Sequence, residues 1–284
     1  MGRMVLAALL AVLMLVFPQI TLQGASEGLR LWFQNVLPAQ FPFMVCILLL
    51  MKNGLGRGNG SAPSLFLTGL LSGYPGGAKS IEVLYRQGQI SAERLQWLMS
   101  FCNNSGPLFI VGTIGIGIFG SADIGYRILI THLGAAVICG CLFSLWGRGE
   151  AFPVKEGFRP EEESFGAQLG SCVTETASVM IMVGGFMMLY CVLIRLCSRL
   201  WPGTSYLYGL LEMTNGAARL ASLPKRWSVP LVGALISMGG FCVYSQTCTV
   251  LEHTPFSGMR YLLAKSVQGI LCGGMLFVWG ILAD

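Results

Sequence analysis

Residues 71–110 read LSGYPGGAKSIEVLYRQGQISAERLQWLMSFCNNSGPLFI and contain two polar breaks inside apolar sequence. The first break is SGYPGGAK, residues 72–79, and the second is CNNSGP, residues 102–107. Because proline removes an amide donor and glycine loosens the backbone, we expect a helix to break at each segment. In lipid, a broken helix survives only where protein or a water-filled cavity satisfies the freed backbone groups. The rest of the chain is therefore predicted to be a frame that holds these breaks.

The composition indicates a membrane protein. Of the 284 residues, 54% are hydrophobic and only 11% are charged, whereas a soluble domain carries roughly 25% charged residues. The apolar runs are about 20 residues long, which fits membrane helices and not the alternating strands of a barrel. We predict an all-α fold, a polytopic helical membrane protein with two homologous repeats and broken or re-entrant helices.

The composition also argues against several other functions. The ten cysteines include no C-x-x-C spacing, and His132 and His253 lie far apart, so no metal site is predicted. Most of the cysteines lie in apolar runs, where free Cys packs as a small hydrophobe. No Ser-His-Asp or phosphate-loop pattern is present, which argues against an enzyme. The net charge of +5 forms no basic cluster that would suggest nucleic acid binding.

The chain is predicted to begin with an N-terminal membrane helix over residues 1–24. Residues 4–20 could instead be the hydrophobic region of a signal peptide. We favour a retained helix, because the apolar run continues to Leu22 and residues 23–26 offer no clean cleavage site.

The remaining chain divides at its longest polar stretch. Residues 27–36 are expected to lie at the membrane interface, and Pro38 and Pro42 to interrupt the approach to the next membrane segment. The predicted domains are a first repeat at 25–147, a polar linker at 148–164 and a second repeat at 165–284.

The two halves resemble each other in sequence. The aligned blocks are residues 69–79 with 209–219, 125–147 with 258–280 and, more loosely, 100–111 with 237–248. Apolar sequences match by chance, but matched charged and Trp residues in the same order are harder to obtain. These matches include Arg127 with Arg260 and Trp146 with Trp279.

The repeat places the first break opposite residues 212–215, EMTN. Interrupted segments at corresponding positions in two halves are a good sequence pointer to a transporter site. If these segments cross the membrane fully, each half has four spans and the repeats are parallel. If they re-enter as hairpins, each half has three spans and the repeats are inverted. We favour hairpins because charged residues, Lys79 and Glu212 among them, lie within these apolar segments.

The motifs GYPGGAK, FCNNSGPLF and LLEMTNGA carry a family resemblance. On these motifs the chain resembles the YlbJ-type sporulation integral membrane proteins, within the nucleoside-recognition (Gate) domain proteins. The resemblance implies a transport role in endospore formation, with dipicolinate as the substrate, and a fold similar to the concentrative nucleoside transporters. Tyr244 stands where the family pattern has a histidine, so the role of that histidine does not transfer to this chain.

The first-half breaks offer groups that suit an anion. Asn103, Asn104 and Ser105 provide amide and hydroxyl groups, and a half-helix that begins near Ser105 would point free backbone amides at a carboxylate. Tyr74, Gly76 and Gly77 could do the same from the first break. Lys79 would supply a charge, because a charge within a membrane segment is costly and is a functional candidate by default. Lys79 could instead reach the interface, or pair with Glu82 or Glu212.

The second half offers a different set of polar groups. Glu212 lies in an apolar run, followed by Thr214 and Asn215. Its carboxylate could bind a coupling proton or sodium ion, or it could neutralise Lys79. Gln246 is either a polar substrate contact or part of a helix–helix hydrogen bond.

These residues favour a transporter of a small organic anion, located in the bacterial cell membrane or the forespore membrane. No cofactor is predicted beyond a coupling proton or sodium ion. The expected partners are the anion, membrane lipid and either a second copy or a sporulation protein, with no nucleic acid. The alternatives are a carrier of nucleoside-type solutes and a non-transporting sporulation scaffold or receptor. A scaffold would be favoured if the polar groups satisfied one another with no cavity.

Overall fold

The computed structural model describes residues 2–54, 62–149, 164–200 and 207–283. The described residues form helices joined by turns, and five helical stretches are long and apolar enough to cross a membrane. These stretches are Pro18–Lys52, Ala122–Phe143, Phe165–Leu200, Lys225–Val250 and Gly258–Leu282. The predicted class, a polytopic helical membrane protein, is confirmed. The predicted polar linker lies outside the described residues over 150–163.

The first helix boundary differs from the prediction. α1 (Gly2–Val16) ends before Phe17, and a second helix, α2 (Pro18–Leu31), begins directly after that residue. Proline is well placed at the first helical position, because its missing amide would have no intrahelical partner there. The boundary expected at residue 24 therefore falls inside α2.

The expected interruption at Pro38 and Pro42 is wrong. α2 continues through a π-helical turn, Trp32–Val36, into α3 (Leu37–Lys52), so residues 27–36 belong to one 35-residue helix. The Leu37 N–H bonds to the carbonyl five residues back. This wide turn just before Pro38 helps to accommodate a ring that would clash with the carbonyl four residues back in a regular α-helix.

Both predicted breaks in residues 71–110 interrupt helices. The flanking elements are α4 (Ala62–Ser72), α5 (Gly76–Arg86), α6 (Ala92–Met99) and a π-helical segment, Phe109–Ile118. Each is shorter than the roughly 20 residues that a membrane helix needs. Ser91 caps α6 by accepting a hydrogen bond from the Arg94 N–H at 3.2 Å.

The rest of the described chain is also helical. Its main elements are α7 (Ala122–Phe143), α8 (Phe165–Leu200), a 3-10 helix (Leu207–Leu210), α9 (Met213–Leu220), α10 (Lys225–Met238), α11 (Gly240–Val250) and α12 (Gly258–Ala283). α10 and α11 are divided at Gly239, whose φ of +83° is a left-handed conformation that glycine adopts without steric cost.

The two longest helical stretches pack against each other through small residues. A Cβ atom on Gly24 would lie 2.7 Å from the Val192 Cα, and one on Gly28 would lie 2.6 Å from the Met188 Cα. Small residues four apart let membrane helices approach this closely. On the other side, α12 packs on α7 and α10 and also contacts α6 and α11. α12 therefore contacts one helix beside the second break, α6, and one helix beside the break at Gly239, α11.

Candidate functional site

The first break turns the chain back on itself. A Cβ on Gly69 of α4 would lie 3.3 Å from the Gly77 Cα of α5, although eight residues separate them. Gly73 has φ +69°, and the Tyr74–Pro75 peptide bond is cis. The Gly76 and Gly77 amides, which were expected to face a ligand, bond to the Gly73 carbonyl at 2.7 and 3.4 Å. These two amides are therefore hydrogen-bonded within the break itself.

The second break lies directly against the first. The Asn103 Oδ1 accepts a hydrogen bond from the Ala78 N–H at 3.2 Å and so caps the first turn of α5. The Asn103 Nδ2 donates to the Tyr261 hydroxyl at 2.9 Å and to the Thr247 Oγ1 at 3.2 Å. Asn103 and Asn104 are both fully buried. One asparagine thus ties the second break to α5, α11 and α12.

Lys265 lies at the centre of this region, although the sequence analysis did not select it. It comes from the N-terminal third of α12 and is 1% exposed. Its Nζ donates to the Asn103 carbonyl, to the Asn104 Oδ1 at 3.3 Å and to the Gln268 Oε1 at 2.8 Å. Among the described residues, no carboxylate lies within ion-pair distance of Lys265. Its partners are neutral oxygens.

Aromatic and amide side chains complete the surroundings of Lys265. The Nζ lies 5.4 Å from the centre of the Tyr74 ring and 5.8 Å from that of Tyr261. Both distances are within the range of a cation–π contact. The Gln268 Nε2 donates to the Asn104 Oδ1 at 3.0 Å. We call Tyr74, Asn103, Asn104, Tyr261, Lys265 and Gln268 the lysine cluster.

Several buried polar atoms around the lysine cluster are unpaired within the described part of the chain. They are the Ser105 Oγ, the His132 Nε2 and the Gln40 Oε1. The other ring nitrogen of His132 bonds to the Ser237 Oγ at 2.8 Å, and the Tyr74 hydroxyl donates to the Ser237 carbonyl at 3.3 Å. Because a buried polar atom without a partner costs free energy, these atoms are candidate contacts for a ligand or water.

The predicted residues of the second half form a separate polar group. The Glu212 carboxylate caps α9, accepting from the Thr214 N–H at 3.0 Å and the Asn215 N–H at 2.8 Å. The Asn215 Nδ2 bonds to the Cys191 Sγ, and the Gln246 Nε2 to the Cys242 Sγ, both at 3.2 Å. We call Glu212, Thr214, Asn215 and Gln246 the glutamate group. It meets the break at Gly239 through a hydrogen bond from the Cys242 N–H to the Leu211 carbonyl, 2.9 Å.

Lys79 lies in neither group. Its Nζ pairs with Glu82 at 3.1 Å and with Glu175 of α8 at 2.9 Å. Glu82 is also paired with Arg86. Of the two expected acidic partners Lys79 therefore contacts Glu82 and not Glu212, and it is tied to a second long helix. The structure does not bring it to the asparagines.

A cleft of about 520 Å³ opens beside the glutamate group. Thr214 and Asn215 line it on one side, and Arg30 of α2 lines it on another. Ala39 also lines this cleft, and the next residue, Gln40, reaches the first break, where a Cβ on Gly73 would lie 3.2 Å from its Nε2. The cleft therefore approaches the breaks from the side of the long N-terminal helix. Among the described residues, no group of three His, Cys, Asp or Glu side chains could hold a metal ion.

The sequence held a signal for the missed residues. Lys265 and Gln268 stand three residues apart in the apolar run of the last helix, where a charge is costly and so points to function. The same rule led to Lys79, which lies next to glycine and proline motifs. Lys265 has no such motif beside it, and its contacts with Asn103 and Asn104 join residues 161 or more apart.

The chain is similar to one curated protein, the sporulation integral membrane protein YlbJ of Bacillus subtilis (strain 168). The two are 27% identical over 314 aligned residues, which cover 89% of this chain and 76% of that protein. No family model matches the chain. No solved structure matches it. The similarity supports a YlbJ-type assignment, so the predicted resemblance to the YlbJ-type proteins is confirmed. With the five apolar helices, it identifies an integral membrane protein of the cell membrane.

Proposed function

We propose that this YlbJ-type membrane protein acts in sporulation as a secondary transporter of a small organic anion. The observation that carries the proposal is Lys265, a fully buried lysine with no acidic partner among the described residues. A lysine inside a membrane helix is costly, about 2.5–3.5 kcal/mol at the helix centre on insertion scales, so Lys265, in the N-terminal third of α12, is a functional candidate. A purely structural role would be served at lower cost by an apolar side chain. Dipicolinate, the substrate that the family resemblance implies, carries two carboxylates on an aromatic ring.

In this proposal the substrate carboxylate takes the place of a neutral partner of Lys265. The ammonium group now donates to the Asn103 carbonyl, the Asn104 Oδ1 and the Gln268 Oε1. A carboxylate is a stronger acceptor than a carbonyl or amide oxygen, because hydrogen bonds between charged groups are shorter and stronger. Tyr74 and Tyr261, whose rings already flank the Nζ, would pack against the aromatic ring of the substrate. The Asn104 side chain, released from Lys265, could then turn its Nδ2, which now donates to the Phe101 carbonyl, toward the second carboxylate.

In the same scheme, the substrate reaches Lys265 through the cleft beside the glutamate group. The cleft is lined by Arg30, Thr214 and Asn215, which could attract an anion and provide donors to it, and by Glu27, whose charge is paired with Arg195. Gln40 and Ser105, with their unpaired atoms, would then contact the substrate as it moves toward Lys265. Glu212 remains our candidate for a coupling proton or sodium ion, because it is a buried carboxylate at a helix break.

We further propose that the two halves are inverted repeats. In each half a long helix is followed by a fold-back at a break, a divided helix and a final long helix. The second fold-back brings a Cβ on Gly209 within 2.7 Å of the Gly216 Cα, as Gly69 approaches Gly77 in the first. If the fold-backs re-enter the membrane, each half has three spans. In this alignment, Lys265 of α12 falls opposite His132 of α7.

A membrane scaffold is the second candidate, and one observation favours it. Lys79 and the Asn103–Asn104 pair are satisfied by protein groups in the described structure. The unpaired Ser105, His132 and Gln40 atoms and the cleft beside the second break favour a transporter instead. Uptake measurements distinguish the two.

The test is uptake of labelled dipicolinate into proteoliposomes, for the wild type and for Asn104→Ala, with proton and sodium gradients imposed separately. Asn104→Ala removes an acceptor shared by Lys265 and Gln268, so we expect uptake to fall roughly tenfold, as for a lost hydrogen bond to a charged group. Far-UV circular dichroism and size-exclusion profiles check that the variant is folded. No uptake by folded wild type under any gradient would favour the scaffold, whereas uptake of nucleosides alone would indicate the other solute class.

A further inference from the structure

A basic cavity lies at one end of the helix bundle, apart from both polar groups. Its volume is about 480 Å³, and its cationic lining residues are Arg127, Lys225 and Arg226. Arg127 comes from the second turn of α7, and Lys225 and Arg226 come from the first turn of α10. Trp279, from the last turns of α12, completes the wall. All three helices belong to candidate membrane spans. The cavity therefore lies where three span ends meet.

The cations of this cavity are only partly neutralised. Arg127 pairs with Asp123 at 2.9 Å, and its guanidinium lies 5.9 Å from the centre of the Trp279 ring. Lys225 and Arg226 are exposed and make no ion pair with any described residue. They also lie in the first turn of α10, where the free backbone amides favour an anion. The cavity thus has an excess of positive charge.

The aromatic residues indicate the depth of the cavity. Trp227 is half exposed and stacks on Phe277, with ring centres 5.5 Å apart, while Arg226 lies 5.4 Å from the Trp227 ring centre. Trp side chains are enriched at the boundary between lipid tails and water. Ile124, Val229 and Leu276 supply apolar lining beside the cations. The cavity therefore places cations beside apolar surface, which suits a phospholipid, whose charged headgroup adjoins its apolar tails.

We propose that this cavity binds the phosphate headgroup of an anionic phospholipid. Basic pockets between membrane helices bind such headgroups, and each Lys or Arg near the surface strengthens the attraction. In the proposed complex, Lys225, Arg226 and the unpaired donors of Arg127 hold the phosphate. The lipid tails lie along the apolar faces of α10 and α12. The site depends on the membrane location of the protein and not on its transport function.

The test compares lipids on the full chain purified in detergent. Brominated phosphatidylglycerol and brominated phosphatidylcholine are titrated separately, and quenching of Trp fluorescence gives the apparent affinity. The double variant Lys225→Gln/Arg226→Gln should lose affinity for phosphatidylglycerol on the order of tenfold and keep its affinity for phosphatidylcholine. The conservative pair Lys225→Arg/Arg226→Lys should keep both affinities.

A matched control removes the same charge elsewhere. Arg199→Gln/Arg260→Gln replaces two exposed cations outside the cavity and should leave the phosphatidylglycerol affinity unchanged. An equal loss in this control would overturn the proposal, because bulk charge would then explain the preference. Competition by free glycerol phosphate at the same concentration as the lipid would also overturn it, since the occupant would be a soluble anion. If the double variant fails to fold, Arg127→Gln gives the same readout.

Discussion

Lys79 and Lys265 are both lysines within apolar helical sequence, but their surroundings differ completely. Lys79 has a 20% exposed side chain and pairs with two carboxylates, Glu82 and Glu175. Lys265 is 1% exposed and bonds to a backbone carbonyl and two side-chain amides. The first lysine is neutralised where it stands and ties α5 to α8. In our proposal the second carries a charge that a substrate neutralises, so the partners of a buried lysine, and not its cost alone, indicate its role.

The largest expected effect is on transport, from substitution of the two lysines in parallel. Lys265→Met should lower the apparent affinity for dipicolinate roughly 10- to 100-fold, because a charged hydrogen bond contributes about 1.5–3 kcal/mol. Lys79→Met should change it less than about twofold, because Lys79 lies outside the lysine cluster. Uptake as a function of substrate concentration measures both. Equal losses of affinity in the two variants would contradict the different roles assigned to the two lysines.

A smaller effect is expected on stability, and here the substitution of Lys79 is the informative change. Lys79→Gln leaves Glu175 without its partner and should lower the free energy of unfolding by about 1 kcal/mol. The double variant Lys79→Gln/Glu175→Gln should recover part of this loss, because it removes the unpaired charge as well. Thermal unfolding in detergent measures the change. Unchanged stability in both variants would contradict a stabilising role for the ion pair between Lys79 and Glu175.

The smallest expected effect comes from an unpaired hydroxyl beside the lysine cluster. The Ser105 Oγ is buried and has no hydrogen-bond partner within the described residues. Ser105→Ala should therefore change the free energy of unfolding by less than about 0.5 kcal/mol. If the hydroxyl contacts the substrate, uptake should nevertheless fall by about threefold to tenfold, as for one lost hydrogen bond. A destabilised variant with normal uptake would contradict a substrate contact.

The breaks could be predicted from the sequence, because glycine and proline act locally. Gly73 adopts a left-handed conformation inside the first motif, where an interruption was predicted. The cap at Ser91 was predictable for the same reason. The continuous passage of Pro38 and Pro42 through one helix could not be predicted, because it depends on a π turn before them. Lys265 was missed because its partners are far away in sequence, and no local pattern joins α12 to the second break.

The central claim is that Lys265 receives the substrate carboxylate. The most direct measurement is an experimental structure of the protein in lipid nanodiscs with dipicolinate bound. The account predicts a carboxylate oxygen within about 3 Å of the Lys265 Nζ, the ring between Tyr74 and Tyr261, and the Asn104 side chain displaced from its present contact with Lys265. Ligand held at Lys79, or only at Arg30 in the cleft, with the lysine cluster unchanged, would contradict it.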